Sequence, residues 1–117
     1  MITVVNKYKH DPTDDDVYIG RGSIVGNPYT HLDSKYDGAI TVKTRKEAIE
    51  LYGDYMDKKI NTSDEFKNYM NDILEEAKQH DVNLVCFCKP KSCHGDIIKK
   101  YLDNKIREDS EIIYNNE

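Results

Sequence analysis

The run Val82-Asn83-Leu84-Val85-Cys86-Phe87-Cys88-Lys89-Pro90-Lys91-Ser92-Cys93-His94-Gly95-Asp96 reads as a buried strand, a tight turn and the opening of a helix. Val82 to Cys88 is nearly continuous in apolar residues, the pattern of a strand covered on both faces. Pro90 has no N–H to donate and ends the ladder. Ser92 is a natural N-cap, which puts Cys93, His94 and Gly95 in the first helical turn. Unpaired N–H groups point outward there and the dipole is positive, so an anion is welcome and a thiol ionises more readily.

Outward from this run, the chain keeps a simple order. Ile2–Tyr8 reads as a strand, and His10–Asp16 as a turn whose aspartates lack the spacing of a calcium loop. Val17-Tyr18-Ile19 is a short strand that runs into a glycine-rich loop, Gly20-Arg21-Gly22-Ser23-Ile24-Val25-Gly26-Asn27-Pro28-Tyr29. The loop matches neither a Walker motif nor a dinucleotide fingerprint. Its glycines allow a ligand close to the backbone, and Arg21 can fork onto a phosphate or carboxylate. His31–Lys43 is polar, with a turn at Asp37-Gly38 and a short edge strand at Ala39–Val42.

Capping boxes at Thr44-Arg45-Lys46-Glu47 and Thr62-Ser63-Asp64-Glu65 open two amphipathic helices, read as an antiparallel pair. A third helix follows the cysteine run and buries Ile97, Ile98, Tyr101, Leu102 and Ile106. Residues 109–117 read as an acidic tail, with Ile112-Ile113-Tyr114 as an edge strand or partner contact. The expectation is one small α/β domain over residues 1–108, in two or three layers. It has a few-stranded sheet and three helices in the order β-β-α-α-β-α, Rossmann-like in character. Ligands in such sheets sit at the carboxyl ends of strands. The glycine loop and the Cys88–Asp96 turn share one crevice if their strands are parallel neighbours.

Composition narrows the function classes. A net charge of −5 over 117 residues disfavours non-specific binding to nucleic acid. No apolar run approaches a bilayer span, and Met1–Val5 lacks the features of a secretory signal. Three cysteines, an odd number, fit free or metal-bound thiols in a reducing cytoplasm.

Several motifs together resemble a small family common in phages and bacteria, the domain of unknown function 4326. They are Tyr18-Ile19-Gly20-Arg21, Gly26-Asn27-Pro28-Tyr29, the Thr44–Tyr52 helix start and the closing Cys86–Asp96 motif. Phe87 stands where the family usually has Trp, and His31–Lys43 is longer than usual. The resemblance spans about Val17 to Leu102. It implies a site and a phage-like origin, hence a host cytoplasm, but names no reaction. A role against host defence signalling is in keeping with that origin and is specified by no residue.

The favoured reading is a crevice that binds, and could process, an anionic nucleotide-like molecule. Arg21, Gly20, Gly22, Gly26, Asn27, Ser92 and Gly95 would hold it. Cys93 would be the nucleophile of any turnover, with His94 or Asp96 as general acid or base. The motifs require no cofactor. A zinc set of Cys86, Cys88, Cys93 and His94 is the lesser reading, because its spacing is not that of a zinc knuckle and a buried Cys86 leaves little room. The alternative function is a protein that blocks a host factor, alone or as a homo-oligomer, with or without structural zinc.

Overall fold

The computed structural model describes residues 1–31 and 39–115. Most of the polar segment expected at His31–Lys43, including the Asp37-Gly38 turn, lies outside them. The elements run β1 (Ile2–Asn6), β2 (Asp16–Tyr18), β3 (Tyr29–Thr30), β4 (Ile40–Thr41), α1 (Arg45–Thr62), α2 (Asp64–Gln79), β5 (Val82–Cys86) and α3 (His94–Asn115). β1, β5 and β2 form a parallel sheet in that order, with β5 in the centre. This is the small α/β domain with three helices that the pattern predicts. The short edge strand expected at Ala39–Val42 is present as β4, and its parallel partner β3 is an addition: bonds from Ile40 N–H to Pro28 and from Val42 N–H to Thr30 tie the glycine loop to the start of α1.

The core explains the layering. Val82, Leu84 and Cys86 of β5 point to one face and join Ile2, Ile19, Tyr52, Phe66, Met70 and Ile98 in one buried cluster. The three helices contact one another, and α2 and α3 lie on the sheet, so they cover that single face as a second layer. The other face is more polar. There Asp16 accepts from His10, from the Thr13 N–H and hydroxyl, and from Asn83 Nδ2. The acidic turn is thus a self-bonded structure around one carboxylate.

The start of α1 follows its sequence signal. Thr44 accepts from Glu47 N–H, while the Glu47 carboxylate accepts from Lys43 N–H. At α2 the cap shifts by one residue from the Thr62–Glu65 box: Thr62 is the last residue of α1, its hydroxyl donating to the Lys58 carbonyl, and Ser63 caps α2 by accepting from Phe66 N–H. At α3 the expectation shifts by one residue. The helix begins at His94, and Asp96 reaches back to accept from Cys93 N–H, so Cys93 rather than exposed Ser92 holds the cap position. The far end differs more. Residues 109–115 continue α3, replacing the separate tail and its edge strand. No glycine or proline interrupts the helix there, and Lys78 of α2 pairs with Asp109 at 2.7 Å. The side chains of Ile112-Ile113-Tyr114 lie outside the described residues.

Two glycines set a contrast. A Cβ on Gly26 would stand 2.6 Å from the Gly20 carbonyl oxygen, whereas one on Gly53, inside α1, meets nothing within 4 Å. Gly26→Ala is expected to cost about 1–3 kcal/mol, and Gly53→Ala to stabilise by about 0.5–1 kcal/mol, both read from urea midpoints. Asp16 supplies a pH signature. Burial raises its pKa, but the bonds from His10, Thr13 and Asn83 outweigh burial and bring it from 3.8 down to about 2. The stability it contributes is complete above its unfolded value and lost as pH falls through about 2. Wild type should therefore lose more stability than Asp16→Asn on acidification from about 3.8 to about 2, measured by chemical unfolding at each pH.

Candidate functional site

Because β2 and β5 are adjacent and parallel, the loop after Tyr18 and the turn after Cys86 leave the sheet at the same edge. Between them lies a cavity of about 770 Å³, the size of a small-molecule site. The N-terminal end of α1 closes it with Arg45, Ala48 and Ile49.

The glycine loop is locked from within. Arg21 donates through Nη1 to the Asn27 carbonyl (2.8 Å) and through Nη2 to the Tyr29 carbonyl (3.2 Å). The expected phosphate fork is therefore first a clasp for its own loop. Guanidinium has five donors, so some remain for a ligand. Asn27 donates to the Ala48 carbonyl and accepts from Tyr29 N–H, stitching the loop to α1. Gly22 has φ +90, the left-handed conformation that a glycine adopts without strain. Buried Tyr52, whose phenol burial keeps protonated, donates to the Val25 carbonyl at 2.7 Å.

The turn after β5 is held as firmly. Asn6 Nδ2 donates to the Phe87 and Lys89 carbonyls, and Lys91 N–H donates to the Cys88 carbonyl. His94 is buried and its Nε2–H donates to the Ile19 carbonyl at 2.6 Å. A carbonyl partner requires the proton on Nε2, which leaves Nδ1 with its lone pair. Burial pushes this imidazole below the ordinary histidine range, so the ring is neutral.

Of the residues singled out in the sequence, Gly20, Arg21, Asn27, Ser92, Cys93 and His94 line the cavity. Gly22, Gly26, Gly95 and Asp96 do not. A Cβ on Gly95 would come within 2.9 Å of Ile19 and Val4, so that glycine packs α3 onto the sheet. Asp96 caps α3 and pairs with Lys89. The residues not anticipated are Lys9, Arg45, Lys89, Lys91 and the half-exposed ring of Phe87, all on the cavity wall. Lys89 and Lys91 sit inside the cysteine motif itself, where a count of cations would have found them.

The thiol chemistry is also redistributed. The Sγ atoms of Cys86, Cys88 and Cys93 lie within 4.8 Å of one another. Hydrogen bonds from the Cys86 and Cys93 thiols, with Arg45 alongside, outweigh burial and hold the Cys88 thiol far below its usual range. Hydrogen bonds with Cys86 and Cys88, together with burial, push the Cys93 thiol up. These directions favour Cys88 over the expected nucleophile Cys93 as the thiol that ionises first. In metal-free protein, iodoacetamide should label half-buried Cys88 roughly tenfold or more faster than Cys86 or Cys93. Peptide mapping by mass spectrometry checks this, and a chain that labels first at Cys93 would restore the original assignment.

Comparison with known proteins bears on this geometry. The family model of the domain of unknown function DUF4326 matches residues 4–104. An uncharacterized 12.4 kDa protein encoded in the nrdA-td intergenic region of enterobacteria phage T4 is 33% identical over 112 residues, covering 96% of this chain and 87% of that protein. No solved structure matches. With its glycine loop and cysteine turn both inside the matched span, this chain belongs to the DUF4326 family, and it has a phage relative of nearly equal extent.

Proposed function

We propose that this DUF4326 domain recognises a phosphate-bearing, nucleotide-like small molecule in the crevice between the glycine loop and the cysteine turn. The observation that carries the reading is the charge of the wall. Lys9, Arg21, Arg45, Lys89 and Lys91 line the cavity, and among the described residues no Asp or Glu does. The whole chain carries a net charge of −5, so this is a local inversion of sign. Low-dielectric walls of one sign concentrate field and favour an anion. Tyr18, Tyr29 and Phe87 add aromatic surface to the same wall, suited to a base or other flat ring.

Recognition is favoured over turnover. Cys93 is buried with its thiol pushed above its usual range, His94 is buried with Nε2 engaged by the Ile19 carbonyl, and Asp96 stands outside the cavity. A cytoplasmic sensor or sink for a signalling nucleotide fits this arrangement. It also fits a phage-type protein that acts inside a host.

The test is isothermal titration of the full chain with inorganic pyrophosphate and with nucleoside mono-, di- and triphosphates. Binding that weakens with salt is expected. Arg45→Gln removes one charge-assisted contact of about 1.5–3 kcal/mol, and so should weaken binding roughly ten- to a hundredfold. Arg45 is chosen because its tie to the backbone is a long 3.4 Å bond to the Ser92 carbonyl. Absence of binding across the panel, or an Arg45→Gln protein that binds as wild type does, would refute the reading.

A further inference from the structure

We infer that Cys86, Cys88 and Cys93 form a three-thiolate site for a thiophilic divalent cation of the zinc class, with its fourth coordination position open to the crevice. Sulfur ligands at about 2.3 Å from a tetrahedral ion stand roughly 3.8 Å from one another. The three Sγ atoms already lie within 4.8 Å of each other, with Cys86 and Cys93 at 3.5 Å. They are free thiols, so a disulfide does not account for their approach.

The backbone holds this spacing without a metal. Cys86 ends the central strand and Cys88 follows two residues later. The Cys88 carbonyl accepts from Lys91 N–H, and Asn6 bonds the carbonyls of the residues on either side of Cys88. Cys93 is fixed by two bonds with Asp96, one through each of its backbone groups. A rigid scaffold of this kind removes much of the ordering cost of binding an ion.

The sequence objection was that a buried Cys86 leaves no room. The structure answers it, because all three cysteines line the cavity while Cys86 and Cys93 also belong to the core. His94 is not the fourth ligand, since its Nε2 is turned to the Ile19 carbonyl and its ring is not part of the cluster. Among the described residues no other group of His, Cys, Asp or Glu has such geometry. Three thiolates and a divalent ion carry one net negative charge. Arg45, beside Cys88, and the N-terminus of α3 offset it. The open position would accept water or a donor atom of whatever enters the cavity.

The experiment uses the reduced, chelator-treated full chain titrated with cobalt(II) as a spectroscopic stand-in. A sulfur-to-cobalt charge-transfer band saturating at one equivalent, with zinc(II) displacing the cobalt, supports the site. Cys88→Ser and Cys93→Ser should each shrink the band and weaken affinity by about a hundredfold or more, above the usual cost of losing an outer partner. Cys88 is half-buried, so Cys88→Ser is the variant expected to fold normally, with far-UV circular dichroism as the check. No band at one equivalent overturns the inference, and so does a band unchanged in folded Cys88→Ser. Neither outcome touches the anion reading, whose test uses no metal.

Discussion

Ile19 is bound from both sides. Its N–H donates to the Val85 carbonyl of the central strand, and its own carbonyl accepts the Nε2–H of His94 at the start of α3. The first bond extends the β2–β5 ladder one residue past the strand, up to the point where the glycine loop begins. The second fixes the helix that follows the cysteine turn against that same residue. Loop, turn and helix start are therefore held at one mutual distance by a single backbone unit. β2 has only three residues, too few to place the loop alone, and Tyr69 adds a third tie by donating to the Tyr18 carbonyl. Removing the imidazole would leave a buried carbonyl without its partner, which costs more than the bond itself contributes.

From that constraint the basic crevice follows. Three parallel strands share one carboxyl edge, so the segments after β1, β2 and β5 must meet there. Lys9 follows β1, Arg21 follows β2, and Lys89 and Lys91 follow β5. Arg45, the first residue of α1, reaches the edge because the β3–β4 pair brings the end of the glycine loop up to that helix. Each cation is ordinary by itself. Their convergence comes from topology, and it gathers positive charge at one edge of an acidic chain.

The cysteine cluster occupies the boundary between this crevice and the core. Strand alternation sends Cys86 inward with Val82 and Leu84. The turn then brings Cys88 and Cys93 back against it. Sulfur suits such a boundary because it packs as a small hydrophobe on one side and offers a soft ligand or nucleophile on the other. The shared hydrogen bonds do not treat the three thiols alike. They favour a thiolate at Cys88, which faces Arg45, and a proton at Cys93, which sits deeper.

Much of this was legible in the order of residues. Apolar periodicity located three helices and the central strand, because periods of 3.6 and about 2 are set by local geometry that any core must respect. Capping boxes at Thr44–Glu47 and Thr62–Glu65 announced two helix starts, the second one residue early, because hydroxyl caps act within three residues. The sharing of one crevice by the glycine loop and the cysteine turn was legible only as a condition, since strand adjacency is a non-local pairing. What lay beyond the sequence depends on contacts between distant residues. Lys78 pairing with Asp109 carries α3 through a segment that reads as a tail. Arg21 spends donors on its own loop, and Gly95 packs on Val4 and Ile19 where it reads as a ligand contact. Identity and spacing thus determined the three helices, the central strand and the two segments whose ends line the cavity. The tertiary structure decided which side chains face the cavity and which thiol is favoured to ionise, because burial, charge and hydrogen-bond supply are properties of neighbours brought together by folding.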